Sequence, residues 1–301
     1  MFSAGIDKRR ANSWVFSLLI AVFAVWGAQQ VAIKIGNEEL SPIYQAALRS
    51  IVAATLMTIW FLIRGTPPWK MGVSMWQAAA LGALFSLDFA LLFVGLDLTT
   101  ASRGTILYYT APIMIAAGTA LILPEERIGR IGTIGLATAF AGVALVLWRG
   151  NSGHDGNFTG DLFALGAAAA WAVTILLIKT TSLIHVPASA ALYFQLLGSA
   201  VLLPILSLAL GETWIVPQQV DTYWALGFQS FLVAFASYLI FFWVLKQYSA
   251  SKLSAYSFLA PIFGVMFSWK ILGDEITPAF LGGSVMVIAG LVLVTKDEGA
   301  S

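Results

Sequence analysis

Residues 101–126 read Ala-Ser-Arg-Gly-Thr-Ile-Leu-Tyr-Tyr-Thr-Ala-Pro-Ile-Met-Ile-Ala-Ala-Gly-Thr-Ala-Leu-Ile-Leu-Pro-Glu-Glu. Residues 250–275 read Ala-Ser-Lys-Leu-Ser-Ala-Tyr-Ser-Phe-Leu-Ala-Pro-Ile-Phe-Gly-Val-Met-Phe-Ser-Trp-Lys-Ile-Leu-Gly-Asp-Glu. Each opens on Ala-Ser and a base, reaches Ala-Pro in mid-stretch and closes on an acid followed by Glu. The offset between them is 149 throughout. Self-similarity at one offset is the signature of an internal repeat, and neighbouring stretches extend it at slightly different spacing. Trp26 and Lys34 correspond to Trp171 and Lys179, and Ala141-Gly142 corresponds to Ala289-Gly290, each followed by a run of Val and Leu.

Both copies are apolar, and so is the rest. Of 301 residues 59% are hydrophobic and 10% charged, against about 25% charged in soluble domains. Such a chain cannot cover itself with polar surface, so part of its solvent is lipid. Crossing a hydrocarbon core takes roughly 20 apolar residues. Ten stretches qualify: 14–34, 43–63, 76–96, 103–123, 128–148, 160–180, 187–210, 222–246, 252–272 and 278–295. The first follows Lys8, Arg9 and Arg10 as a signal peptide would. Its apolar core exceeds the usual h-region and no small-x-small site ends it, so it reads as a retained span.

The fold class expected is therefore all-α and integral to a membrane. Ten helices form a single domain: repeat one 14–148, a polar linker 149–159, and repeat two 160–295. Five crossings per copy is an odd number, so the second copy enters from the opposite face. The copies are then related by an axis in the membrane plane. Such inverted repeats recur in secondary transporters, with a substrate site near the midplane between them. The expected architecture is two inverted five-helix repeats around a central cavity.

Lysine and arginine mark the cytoplasmic side of membrane proteins. With the N-terminus inside, the inner flanks hold Lys8, Arg9, Arg10, Arg64, Lys70, Arg127, Arg130, Lys179, Lys246, Lys252 and Lys296. The outer flanks hold Lys34, Arg103, Arg149 and Lys270. Both termini are expected in the cytoplasm. A net charge of +1 gives no reason to expect a nucleic-acid partner. Cysteine is absent and His154 and His185 are the only histidines, which excludes thiolate chemistry and leaves no histidine metal cluster.

The same residues carry a family resemblance: Trp26-Gly27 with Ala32-Ile33-Lys34, Ala47-Leu48-Arg49, Ala101-Ser102 with Ala111-Pro112 and their counterparts in the ninth helix, and Glu126 and Glu275 ahead of the fifth and tenth. Over nearly its whole length the chain resembles the drug/metabolite transporter superfamily, in its EamA-type branch of two five-helix repeats. It looks most like the bacterial aromatic amino-acid exporters. The resemblance implies a carrier of the bacterial cytoplasmic (inner) membrane with cytoplasmic termini, exporting amino acids or related metabolites. No cofactor is expected; the expected partners are a small-molecule substrate, an amino acid or related metabolite, and the lipid bilayer, with no obligatory protein partner evident in the sequence.

Candidate substrate-binding residues follow from placement. Asp88 lies near the middle of the third span, where a charge costs about 2.5–3.5 kcal/mol. It is open to two functional roles, counter-charge for a substrate ammonium or proton coupling, and to a structural one as a protonated, hydrogen-bonded acid. Trp26 and Gln30, four apart, share a helix face, and Trp171 is the repeat partner of Trp26. Both tryptophans lie too deep for an interfacial belt. Buried tyrosine hydroxyls need partners, so Tyr108, Tyr238 and Tyr256 are favoured over the phenylalanines, which read mainly as helix–helix filler. Pro112 and Pro261 each remove a backbone donor inside a span and are candidate hinges beside the cavity, or static kinks. Arg49 is read as snorkelling toward the outer surface, with a gating ion pair as the rival. Glycines 132, 135, 142, 282, 283 and 290 allow close helix approach between the halves.

Other functions fit less well. No Gly-x-x-x-x-Gly-Lys-Ser/Thr is present for a nucleotide-driven pump. One buried acid is not a channel's charged ring. A membrane-embedded enzyme would need a buried acid–base pair that the spans do not offer. Within transport, drug-like or quaternary cations held by Asp88 and aromatic rings are the alternative cargo.

Overall fold

The computed structural model describes residues 8–122, 129–148, 157–245 and 259–298. Among these, ten helical rods appear: α1 Lys8–Asn37, α2 Pro42–Arg64, α3 Met75–Leu98, α4 Ala101–Ile122, α5 Arg130–Leu147, α6 Phe158–Thr180, α7 Ala188–Ala209, α8 Val220–Val244, α9 Leu259–Leu272 and α10 Pro278–Glu298. Eight are long and apolar enough to cross a membrane, and α9 and α10 are shorter apolar helices. No strand is present among the described residues. The expected spans agree with these rods to within a few residues. Most of the linker, Glu126 and the first part of the ninth span lie outside the described residues.

Local sequence sets the helix ends. Ser74 and Gln77 form a reciprocal capping box at the start of α3, which satisfies two of the amide donors a helix start leaves open. Asn157 caps α6 through the Thr159 amide, and Thr277 ahead of Pro278 caps α10 through the Phe280 amide at 3.2 Å. α2 ends at Gly65, whose left-handed φ of 62° suits a residue without Cβ.

The packing obeys the repeat. Replacing each helix by the one five places on turns α1–α8 into α6–α3, α1–α9 into α6–α4, and α2–α8 into α7–α3. All six pairs are packed in the structure. The pairs α2–α7, α4–α9 and α5–α10, which the same operation maps onto themselves, are packed too. The two halves are thus interleaved rather than set side by side. At the α5–α10 contact a Cβ on Gly142 would lie 2.7 Å from the Gly283 carbonyl oxygen, and one on Gly283 would lie 2.8 Å from that of Gly142. Gly135 and Gly290 meet in the same reciprocal way. Here glycine is required by backbone approaching backbone.

Large apolar side chains cover the outside, among them Leu62, Ile63, Leu121 and Trp224, each more than half exposed. A soluble domain does not expose so many; a lipid-facing belt does. The buried core runs through α1, α2, α3, α4, α6 and α7 and gathers Phe23, Phe89, Phe93 and Tyr108.

Three helices depart from regular winding, the third being α9, which is π-wound over Ser268–Leu272. α4 breaks at Tyr109–Thr110, between segments Ala101–Tyr108 and Ala111–Ile122. The break falls just before Pro112, where proline removes a donor and crowds the preceding turn. The Thr110 hydroxyl donates to the Leu107 carbonyl at 2.6 Å. α8 is wound as a π-helix over Phe228–Ser237, a rare form found often at functional sites. Pro261 is buried near the start of the described part of α9.

Candidate functional site

Asp88, on α3, is fully enclosed. The Tyr108 hydroxyl of α4 donates to its Oδ2 over a long 3.3 Å, while its Oδ1 has no partner. Trp171 of α6 stacks on the Tyr108 ring, with centroids 5.2 Å apart and planes 27° from parallel. Tyr109 meets the same indole edge-on. One acid, two phenols and an indole thereby meet where repeat two presses into repeat one.

Trp26 makes the reciprocal crossing. From α1 it reaches α8, where its indole nitrogen donates to the Ser237 hydroxyl at 2.8 Å. Its ring lies 5.3 Å from that of Tyr238 and 5.1 Å from that of Phe241. Ser237 is the residue that stands at the Asp88 position in the second repeat, 149 places on. So the two tryptophans do sit at the seam between halves, each on the other half's polar position or its neighbours. Gln30 is buried on the same helix, with its amide nitrogen donating to the carbonyls of Trp26 and Gly27 at 3.1 Å each. Tyr256 lies outside the described residues.

Arg49 does not snorkel. It is fully buried, with no exposed surface at all, and none of its three guanidinium nitrogens has a hydrogen-bond acceptor. Its guanidinium carbon lies 3.9 Å from the centroid of the Phe89 ring, a cation–π contact. The helix geometry explains the correction. α2 is clamped between α7 and the π-wound part of α8, so a stem starting two turns down has protein and not lipid along its path. Arg49 is within electrostatic reach of Asp88, Tyr108 and Tyr238, yet it does not close onto Asp88 as an ion pair.

A second buried carboxylate went unread. Asp161, in the first turn of α6, binds Arg103 at 2.7 Å with both side chains enclosed, and it accepts the Thr99 hydroxyl at 2.6 Å. In the sequence Arg103 looks like a loop base and Asp161 like a helix-start acid. Only the α3–α4–α6 packing puts them together.

The connections on the face assigned to the outside by charge, called the outer face below, exchange helix caps between halves. Glu39, between α1 and α2, accepts the backbone amides of Gln218 and Gln219 at the start of α8. Glu212, between α7 and α8, accepts those of Ile43 at 3.1 Å and Tyr44 at 2.7 Å at the start of α2. Tyr44 also stacks on Trp214 with centroids 4.9 Å apart. Asp274 accepts the Ser102 amide at 2.7 Å, tying the α9–α10 connection to the start of α4. Lys34 donates to the Leu96 and Thr99 carbonyls at the end of α3, each at 2.7 Å. On this face helix ends are thus satisfied by groups from neighbouring connections. The Glu39 carboxyl is held below its ordinary value of 4.5, chiefly by the Gln218 amide.

A separate apolar groove of about 220 Å³ opens between the other end of α2 and α7, lined by Thr58, Phe61, Leu62, Trp69 and Tyr193 among others. It shares no residue with the acid–aromatic cluster. Among the described residues no group of three metal-ligating side chains occurs.

Comparison with known proteins accords with this architecture. The model of the EamA-like transporter family matches residues 12–148 and again 158–296. An uncharacterized transporter of Synechocystis is 29% identical, over 93% of this chain and 89% of its own. A probable amino-acid metabolite efflux pump of Salmonella typhimurium is 24% identical, over 92% and 93%. A crystal structure at 19% identity shares the fold, with a TM-score of 0.66 over 94% of this chain and 97% of that one. With two matches that divide the chain where its own repeat divides, this protein belongs to the EamA-like transporter family.

Proposed function

We propose that this membrane transporter is a secondary carrier that exports small metabolites, chiefly amino acids with aromatic or other large apolar side chains. It works by alternating access around the seam between its halves. The observation that carries the reading is the buried Asp88–Tyr108–Trp171 group, in which an acid with a free oxygen adjoins stacked rings at the junction of the repeats. An apolar pocket with a few convergent polar groups is the usual form of a small-molecule site. The acid supplies a partner for an ammonium and the rings a surface for an apolar side chain. The resemblance to a probable amino-acid metabolite efflux pump points the same way.

In this reading the protein lies in the bacterial cytoplasmic membrane with both termini inside, and the exchanged caps on the outer face are its closed outer gate. The break in α4 before Pro112 and the π-wound stretch of α8 are the elements that flex. The binding energy of the substrate has to favour opening toward one face in turn.

Purified protein in liposomes preloaded with unlabelled phenylalanine tests this by counterflow of labelled phenylalanine, tryptophan and methionine. Uptake of the aromatic and apolar amino acids above protein-free vesicles is expected. Absence of uptake for every amino acid, with uptake of an aromatic quaternary cation, would replace the amino-acid reading by cation efflux.

A further inference from the structure

A buried guanidinium without an acceptor is an expensive feature. Stripping a charge of water costs several kcal/mol unless partners replace the lost contacts, and deep in a membrane such groups mark function. Arg49 has only the face of Phe89. Asp88, next to Phe89 in the chain, has one oxygen on Tyr108 and the other on nothing. At 1.5 Å per residue, Arg49 lies about 10 Å below the outer end of α2 and Asp88 about 15 Å below that of α3, so their depths differ by about one helical turn. Both side chains are buried, Arg49 lies on the ring of the residue next to Asp88, and each charge acts on the other. They nevertheless stay apart, each keeping unused hydrogen-bonding capacity.

A ligand that satisfies both must present acceptors to the guanidinium and a donor to the carboxylate from neighbouring atoms. An α-amino acid does this. Its carboxylate matches the two-pronged guanidinium fork, and its ammonium, one carbon away, donates to Asp88. We propose that Arg49 and Asp88 are the carboxylate and ammonium anchors for a zwitterionic amino acid, whose side chain is left against Trp171 and Tyr108. The pair also works by exclusion: a bare amine meets the charge of Arg49, and a bare acid meets that of Asp88. Discrimination of this kind comes from the unpaired charge as much as from the good contact. Further unpartnered polar atoms support a wet route to this point. Gln45, one turn outward from Arg49 on α2, and Ser230 on the facing stretch of α8 have buried polar atoms with no partner. Water or substrate passing along the α2–α8 seam would satisfy them.

The inference rests on the carrier reading above, and the experiment separates the two. Purified protein is titrated with phenylalanine, phenethylamine and 3-phenylpropionate, which keep the ring and delete one charge in turn. The wild type is expected to bind phenylalanine at least tenfold more tightly than either. Arg49→Gln should weaken phenylalanine about 10- to 100-fold, the worth of a charge-assisted bidentate contact, and leave phenethylamine unchanged or tighter. Asp88→Asn should weaken phenylalanine and spare 3-phenylpropionate. Arg49→Lys keeps the buried charge and serves if Arg49→Gln does not fold; it should weaken phenylalanine by losing the fork. Phenylalanine affinity within twofold of wild type in the Arg49 variants, or an equal loss for phenethylamine, would overturn the assignment while leaving the carrier intact. A wild type that binds phenethylamine but no amino acid would overturn both.

Discussion

Removing the Glu212 carboxylate should loosen the outer face by an amount the structure allows to be estimated. That carboxylate accepts two backbone amides at the start of α2 and the Ser207 hydroxyl at 2.7 Å. It comes from the α7–α8 connection of one half and caps a helix of the other. If the halves part on this face when the carrier opens outward, these bonds break, and Glu212→Ala takes their worth from the closed state alone. Loss of a helix cap costs about 0.5–2 kcal/mol. With a partly buried charged acceptor serving three donors, the upper end applies, about 2 kcal/mol, or roughly a 30-fold shift toward the open form. The chain contains no cysteine, so Ser50→Cys creates a single reporter thiol, buried beside Arg49 on α2. In sealed vesicles an impermeant maleimide added outside should label it slowly in the parent and 10- to 30-fold faster with Glu212→Ala. Equal labelling rates, with the protein still folded and monodisperse, would refute the assignment of this face as a gate.

Three further outcomes follow from the geometry. Glu39 is held below its ordinary carboxyl value by the amides it caps. Its contribution to closure is therefore fully present above the ordinary value of 4.5 and is lost as outside pH falls through the depressed one. The Ser50→Cys labelling rate, divided at each pH by that of the same thiol in the denatured chain to remove the loss of thiolate, should stay flat down to about that ordinary value and rise only below it, and Glu39→Gln should abolish the rise. Gly142→Val places a side chain where a Cβ alone is 2.7 Å from the Gly283 oxygen. It should cost about 1–3 kcal/mol by overpacking, read as a lowered Tm with phenylalanine affinity retained in the folded fraction. Arg103→Ala strands Asp161 in an enclosed site and should destabilise by about 3–5 kcal/mol; replacing both by leucine should recover most of the loss in a thermal melt.

The architecture was legible because its causes are repetitive. Apolar length, the offset of 149 between the two Ala-Pro stretches, and the glycines of α5 and α10 each reflect a constraint that recurs along the chain. Trp26 and Trp171 were picked out by their correspondence in the repeat and their depth in the spans, and both lie where the halves meet. What was not legible depends on which helices meet. Arg49 looked like a residue two turns from a membrane surface, and nothing in α2 announces that α7 and α8 cover it. Asp161 and Arg103 each carry an innocent local explanation and become a buried pair only across three helices. Gln30 shares the helical face of Trp26 but spends its amide on its own backbone. Glu39 and Glu212 were not singled out in the sequence, because a cap contributed by another half leaves no mark near the helix it caps.

The most direct test of the account is to pin the outer face shut. Glu39→Cys with Gln218→Cys introduces two thiols where the first half touches the second, and a short bifunctional thiol reagent joins them. The account predicts that the joined carrier in liposomes still binds phenylalanine but loses phenylalanine counterflow, and that counterflow returns when a cleavable linker is cut. Counterflow at the unlinked rate with the linkage complete would contradict a carrier that opens by parting its halves at this face.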